Sequence, residues 1–306
     1  MNPRTILKDY LAMRRKLGFK LQKHEETLRG FLNFFEARKD TYLTTELALK
    51  WAKKPKNTDP AWWTERLSMI RGFAAYWKTI DPRTEVPSLH ILLPQYKRPT
   101  PHIYSNQEIA QILSLAKKLP TKDSYTYWTL YGLLLATGMR IGEALALDNK
   151  DVDLKEGIIT LRDTKLNKSR ILPLHVTTRK ILRQYVQKRN KQFAKSKEVA
   201  FFVVSDDRRP SHHMAWSRFK KILIEMGIWN PSHNKDPRLH SLRHTFAVRA
   251  LTEFYRNGQD IDEKIHALST YLGHKDILCT YWYLTAVPEL MAQVLSRLEK
   301  KIGGRL

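Results

Sequence analysis

Residues 81–108 read Asp81-Pro-Arg-Thr-Glu-Val-Pro-Ser-Leu-His90-Ile-Leu-Leu-Pro-Gln-Tyr-Lys-Arg-Pro-Thr100-Pro-His-Ile-Tyr-Ser105-Asn-Gln-Glu108, and this stretch divides the chain. Five prolines (Pro82, Pro87, Pro94, Pro99 and Pro101), with Lys97 and Arg98 among them, describe an extended, semi-rigid segment. It ends on Ser105-Asn-Gln-Glu108. There a serine and a glutamate three residues later can each satisfy one orphan N–H of a starting helix. The pattern predicts a unit over 1–90, a Pro-rich linker over 91–104 and a second unit over 105–306.

Upstream of the linker the apolar residues recur at helical spacing. Ile6, Tyr10, Met13 and Leu17 form a stripe that stops at Gly18, and Leu28, Phe31, Leu32 and Phe35 form a second. A short third helix carries Leu47, Leu49 and Trp51. Asp59-Pro60 is a start signal, an N-cap followed by proline in the first turn. The helix it opens puts Leu67, Ile70, Phe73 or Ala74, and Trp77 on one face, leaving Arg66, Arg71 and Lys78 for others.

Downstream the pattern is mixed. An apolar helix over 125–146 is interrupted at Gly138. Gly157-Ile-Ile-Thr-Leu-Arg162 and Ser169-Arg-Ile-Leu-Pro-Leu174 flank the polar turn Lys165-Leu-Asn-Lys168, which is a β-hairpin pattern. Helices follow over 177–194, 212–226 and 241–257, and an amphipathic helix over 288–302 carries Met291, Leu298 and Ile302. The polar stretch Tyr255–Glu263 reads as an inserted loop. The expected fold class is mainly α with a small β-hairpin or sheet (α+β).

Lys and Arg number 54 against 30 Asp and Glu, a formal charge of +24. Residues 1–104 hold 20 Lys/Arg against 10 Asp/Glu, and residues 105–306 hold 34 against 20. Both halves are therefore basic, which favours a polyanionic partner gripped by two units. The apolar run Tyr127–Met139 is too short to span a bilayer, and the start of the chain lacks a signal-peptide core. The single Cys279 excludes an internal disulfide and a cysteine-rich zinc site. The expected location is cytoplasmic, with no membrane partner.

Cutting a phosphodiester without metal or water needs a nucleophile, positive charge on the non-bridging oxygens and an acid for the leaving oxygen. Four segments have that composition. In Ala136-Thr-Gly-Met-Arg140-Ile-Gly-Glu143 an arginine follows a glycine helix break; taken alone, it is more simply a surface ion pair. In Thr164-Lys165-Leu-Asn-Lys168-Ser-Arg170 a turn lysine can donate a proton or merely sit in solvent. In Leu239-His240-Ser-Leu-Arg243-His244 the residues His240 and Arg243 share a helix face and can meet one phosphate. His240 and His244 are alternatively metal ligands, but Ser241 stands where the zinc-protease pattern has Glu, so no metal is expected. In Tyr271-Leu-Gly273-His274 through Tyr283 a turn or helix end precedes a tyrosine-rich helix. Tyr281 and Tyr283 point in different directions there, and spacing alone does not choose between them.

In this order the four segments resemble the tyrosine recombinase (integrase) family over most of residues 105–290. The N-terminal unit resembles that family's core-binding domain more loosely. The resemblance implies that Arg140 is the first catalytic arginine, with Glu143 supporting it. It makes Lys165 the acid for the leaving 5′ oxygen, with Lys168 the alternative in the same turn. His240 and Arg243 match the His-x-x-Arg pair and His274 the histidine of Leu-Gly-His. Tyr283, nine residues later, takes the position of the nucleophile. Arg66, Arg71, Lys168 and Arg170 are the expected DNA contacts.

What the resemblance implies is a site-specific recombinase of a mobile genetic element, working through a 3′-phosphotyrosine with no cofactor. Its two domains would form a C-shaped clamp on double-stranded DNA. A homotetramer would assemble on paired sites, from a monomer in isolation. The alternatives are a type IB topoisomerase or telomere resolvase with similar chemistry, or a non-catalytic DNA-binding derivative. The compact N-terminal unit and the terminal helix favour recombination. Because phosphate contacts dominate such binding, affinity for duplex DNA should fall steeply as salt is raised; a gel-shift series at increasing salt that shows flat affinity would refute the electrostatic reading.

Overall fold

Four helical stripes close on one another ahead of residue 81 in a computed structural model that describes residues 2–19, 21–56, 58–92, 100–162, 169–193, 199–205, 207–229 and 237–286. The chain parts into two units, Met1–Arg98 and Pro99–Leu306. The hairpin turn with Lys165 and Lys168, and the terminal helix expected over 288–302, lie outside the described residues.

The first unit holds α1 (Pro3–Lys16), α2 (Gln22–Ala37), α3 (Thr45–Ala52) and α4 (Pro60–Lys78). As its sequence asks, Asp59 caps α4, accepting from the Ala61 N–H at 2.9 Å with Pro60 in the first turn. The α2 and α4 stripes meet through aromatic rings: Phe35 and Phe73 each lie 5.3 Å from the Trp77 ring. In α1 the buried face is Ile6, Leu7, Tyr10 and Leu11, not the stripe running to Leu17. Met13 and Leu17 are 39% and 67% exposed, because the helix ends at Lys16 and its core face lies one residue round from the expected one.

Arg66 and Arg71 are engaged inside this unit. The Arg66 guanidinium stacks 3.4 Å above the Trp51 ring and donates to the Trp51 carbonyl at 2.9 Å. Arg71 donates to the carbonyls of Pro87 and Ser88 at 2.7 and 3.0 Å. They thus pin α3, and the chain leaving the unit, onto α4. At the ends of the proline-rich stretch, Ile91 and Leu92 pack on the first core and Tyr104 is buried in the second unit.

The second unit holds α5 (Asn106–Lys118), α6 (Ser124–Thr137), α7 (Ile141–Ala146), β1 (Val152–Asp153), β2 (Ile158–Leu161), β3 (Arg170–Pro173) and α8 (Val176–Gln192). It continues with α9 (His212–Glu225), α10 (Leu239–Arg256), α11 (Ile261–Leu272) and α12 (Leu278–Ala286). The capping box on α5 is formed, with Ser105 and Glu108 each accepting from the other's N–H at 3.1 and 2.7 Å. The hairpin is antiparallel, with Ile159 opposite Leu172 and Leu161 opposite Arg170; β1 adds a third strand. Helix α6 is apolar on every side and becomes the centre of the unit, packed by α5, α8 and α10. A second core joins α10, α11 and α12 through Val248, Leu251, Ile265, Leu268 and Tyr283.

The expected loop over Tyr255–Glu263 is only four residues long in the structure. Helix α10 continues to Arg256, and α11 starts at Ile261 with Asp260 accepting from the Asp262 N–H at 2.9 Å. Its acidic first turn is loop-like in composition but suits the positive end of a helix.

Replacing Arg66 by Ala removes the ring contact and the bond to Trp51 together. The expected cost is about 1–2 kcal/mol, read as an earlier urea midpoint for the full chain; an unchanged midpoint would show that Arg66 does not hold α3 to α4.

Candidate active site

Two glycine-terminated helices set the site. Gly138 closes α6 at φ +60, where an added Cβ would run into the Phe246 ring. The chain then turns so that Arg140 precedes α7, and Glu143 accepts from both the Arg140 N–H and its Nη1 at 2.8 Å. Gly273 closes α11 at φ +67, and there a Cβ would stand 2.6 Å from Arg170 Nη1. Only glycine takes this left-handed backbone without strain.

Three arginines converge on the end of α11. Arg170 Nε donates to the Tyr271 carbonyl at 2.9 Å, Arg243 Nη2 to Leu272 at 2.7 Å and Arg140 Nη2 to Gly273 at 2.7 Å. Arg243 also donates from Nη1 to Gly138, at the end of α6, at 2.8 Å. Carbonyls at a helix C-terminus lack intrahelical donors and carry the negative end of the dipole, so they suit guanidinium groups. Glu143 supplies the full negative charge, since Arg170 grips both of its oxygens at 3.1 and 2.7 Å.

Arg243 is 2% exposed. Burial, and then the neighbouring Arg140 charge, pull its pKa down to about 10, which leaves it cationic at neutral pH. Burial pushes the Glu143 carboxyl up, but hydrogen bonds from Arg170 and Arg140 outweigh it and hold the group below its ordinary value. A carboxylate with a lowered pKa stabilises the fold fully above the ordinary glutamate value. That contribution is lost as pH falls through the lower folded value.

The other groups come from α10 and the segment after α11. His240 is exposed on the first turn of α10, its ring edge-on to His244 with centroids 4.5 Å apart. His244 Nδ1 lies 2.7 Å from the Tyr283 hydroxyl. His274 Nδ1 lies 2.7 Å from Oγ1 of the buried Thr280, which orients the ring. Tyr283 is 1% exposed in the core of α10–α12, whereas the Tyr281 hydroxyl donates to Asp262 at 3.2 Å. The two tyrosines thus part as their spacing requires, and Tyr283 is the one beside the histidines.

The structure therefore brings Arg140, Glu143, Arg243 and His274 together around the end of α11, with Tyr283 and His240 beside them on α12 and α10. Arg170, read from sequence as a DNA contact, is bound to Glu143 and Tyr271. His244, read as an alternative metal ligand, meets Tyr283. Among the described residues no group of three or more His, Cys, Asp or Glu could hold a metal ion, and no helix is long and apolar enough to cross a membrane.

Residues 103–289 match the phage integrase family. The chain is 37% identical to y4rB of Sinorhizobium fredii, named as an integrase/recombinase, over 99% of this chain and 98% of that one. It is 32% identical to the tyrosine recombinase XerD of Oceanobacillus iheyensis over 72% of this chain and 69% of that protein. In fold it is similar to the integrase of transposon Tn1549 in complex with transposon right-end DNA, with TM-score 0.65, 17% identity and 96% and 99% of the two chains covered. A lambda integrase dimer bound to a core site gives TM-score 0.60 at 16% identity, covering 90% and 96%.

Arg170→Ala should cost about 3 kcal/mol, since it strips charge-assisted bonds from a nearly buried carboxylate. Arg170→Lys should recover less than half of this, because an ammonium cannot reproduce the fork. Urea unfolding of the full chain measures both, and equal stability of Lys and Arg at this position would contradict the clamp.

Proposed function

We propose that this chain, which belongs to the phage integrase family and is a tyrosine recombinase that breaks and rejoins DNA strands, cuts with the phenolic oxygen of Tyr283. The observation that supports this reading best is the gathering of Arg140 and Arg243 on successive carbonyls of one helix end, in the unit whose core holds Tyr283.

In the proposed step the Tyr283 oxygen attacks the scissile phosphorus as the bond to the 5′ oxygen breaks, giving a 3′-phosphotyrosine. A free 5′-hydroxyl from another strand reverses the step, so the bond energy is kept and no cofactor is called for. Arg140 and Arg243 stabilise the charge that develops on the non-bridging oxygens, with His240 and His274 as further donors. Preorganised donors of this kind are commonly the largest single contribution to catalysis. Glu143 and Arg170 keep the Arg140 fork in place. Lys165, or Lys168 of the same turn, protonates the leaving oxygen.

The substrate is double-stranded DNA, bound by the basic surfaces of a core-binding domain over 1–90 and a catalytic domain over 105–306. Arg66 and Arg71, fixed by their carbonyl bonds, would present rigid rather than mobile charge to the duplex. Exchange between two sites calls for a tetramer on DNA, joined through residues 288–302, and the reaction belongs in the cytoplasm.

Tyr283→Phe should abolish the covalent protein–DNA adduct on a nicked suicide substrate while half-site affinity stays within about threefold, since only the attacking oxygen is lost. Tyr281→Phe should still form the adduct; if it is the inactive variant instead, the nucleophile is misassigned.

A further inference from the structure

We propose that His244 is the base that takes the proton from Tyr283 as the tyrosine attacks, an inference that rests on Tyr283 being the nucleophile. A phenol ordinarily keeps its proton until about pH 10, so attack near neutral pH requires an acceptor. Tyr283 is 1% exposed, so its hydroxyl is held among protein groups. His244 Nδ1 lies 2.7 Å from the hydroxyl, within the reach a general base needs.

The surroundings suit that task. An imidazole with its own proton on Nε2 offers Nδ1 as an acceptor. The ring is fixed between the Tyr283 and Trp282 rings of α12, with centroids 5.5 and 5.9 Å away, and the His240 ring on the preceding turn. The cations of the cluster, Arg140, Arg170 and Arg243, carry no acceptor. His274 Nδ1 meets Thr280 Oγ1 at 2.7 Å. Two histidines one helical turn apart would then divide the work: the exposed His240 would meet the phosphate, and His244, in contact with Tyr283, would serve the nucleophile.

The step balances. The Tyr283 proton passes to His244 Nδ1 as the tyrosine oxygen–phosphorus bond forms. The phosphorus–5′ oxygen bond breaks, and the leaving oxygen takes its proton from the turn lysine. On rejoining, the 5′-hydroxyl returns its proton to the lysine and the imidazolium returns its own to the tyrosine.

The test uses the full chain and two nicked substrates, one ordinary and one with sulfur in place of the bridging 5′ oxygen, whose leaving thiolate needs no acid. His244→Gln keeps a hydrogen-bonding side chain without basicity, and His244→Ala removes both. Adduct formation should fall by about 100-fold or more in both variants on both substrates. DNA affinity and the thermal midpoint report folding; if the Ala variant is unfolded, the Gln variant decides. Cleavage by His244→Gln within threefold of the wild type would reduce His244 to a structural hydrogen bond and overturn the proposal. Recovery of either variant on the sulfur substrate would place His244 on the acid side and overturn it as well. An adduct absent in the wild-type chain, or mapped to a residue other than Tyr283, would instead refute the nucleophile assignment.

Discussion

An α-helix ends in carbonyls that have no N–H further along to bond, and α11 ends by giving three of them, in succession, to three arginines. Guanidinium groups this close repel one another, and burial removes the water that would screen them. The charge is offset only in part by the Glu143 carboxylate and by the partial negative charge, about half an elementary charge, at a helix C-terminus. What remains is an excess of positive charge held rigidly in a poorly hydrated place. A phosphate diester is the natural complement of such an environment.

The same constraint ties remote parts of the chain together. Arg140 follows the break in α6, Arg170 opens β3 and Arg243 lies within α10, yet all three are located by one helix end. Gly138 and Gly273 matter because each lets a helix stop with its carbonyls turned toward a cation while a neighbouring side chain occupies the space of a Cβ. The Arg243 carbonyl bonds and the His244 contact with Tyr283 come from adjacent residues of α10, so the phosphate grip and the nucleophile share one rigid element.

Much of this was legible in the sequence where the signal is local. The capping box at Ser105, the cap at Asp59, the break at Gly138 and the hairpin strands depend on residues a few positions apart, and they form as read. The order of Arg140, His240, Arg243, His274 and Tyr283 marked the family, although no one segment did so alone. Hidden were the interactions whose acceptor is backbone: Arg170 reaches the Tyr271 carbonyl across 101 positions, and nothing in a side-chain pattern announces a carbonyl. The start of α11 was hidden for another reason, since Asp260, Asp262 and Glu263 are as common in loops as in a capped first turn. Arg66 and Arg71 looked like surface charge because long side chains conceal how far they fold back.

Anchoring on main-chain oxygens has an evolutionary consequence. The side chains at positions 271 and 272 can drift so long as they pack, because the arginines do not read them. The length of α11 has no such freedom. One residue inserted or deleted within it would rotate the terminal carbonyls by about 100° and deliver each to the wrong arginine. Descent along this lineage should therefore show tolerance of substitution near the end of this helix alongside intolerance of any change in its residue count.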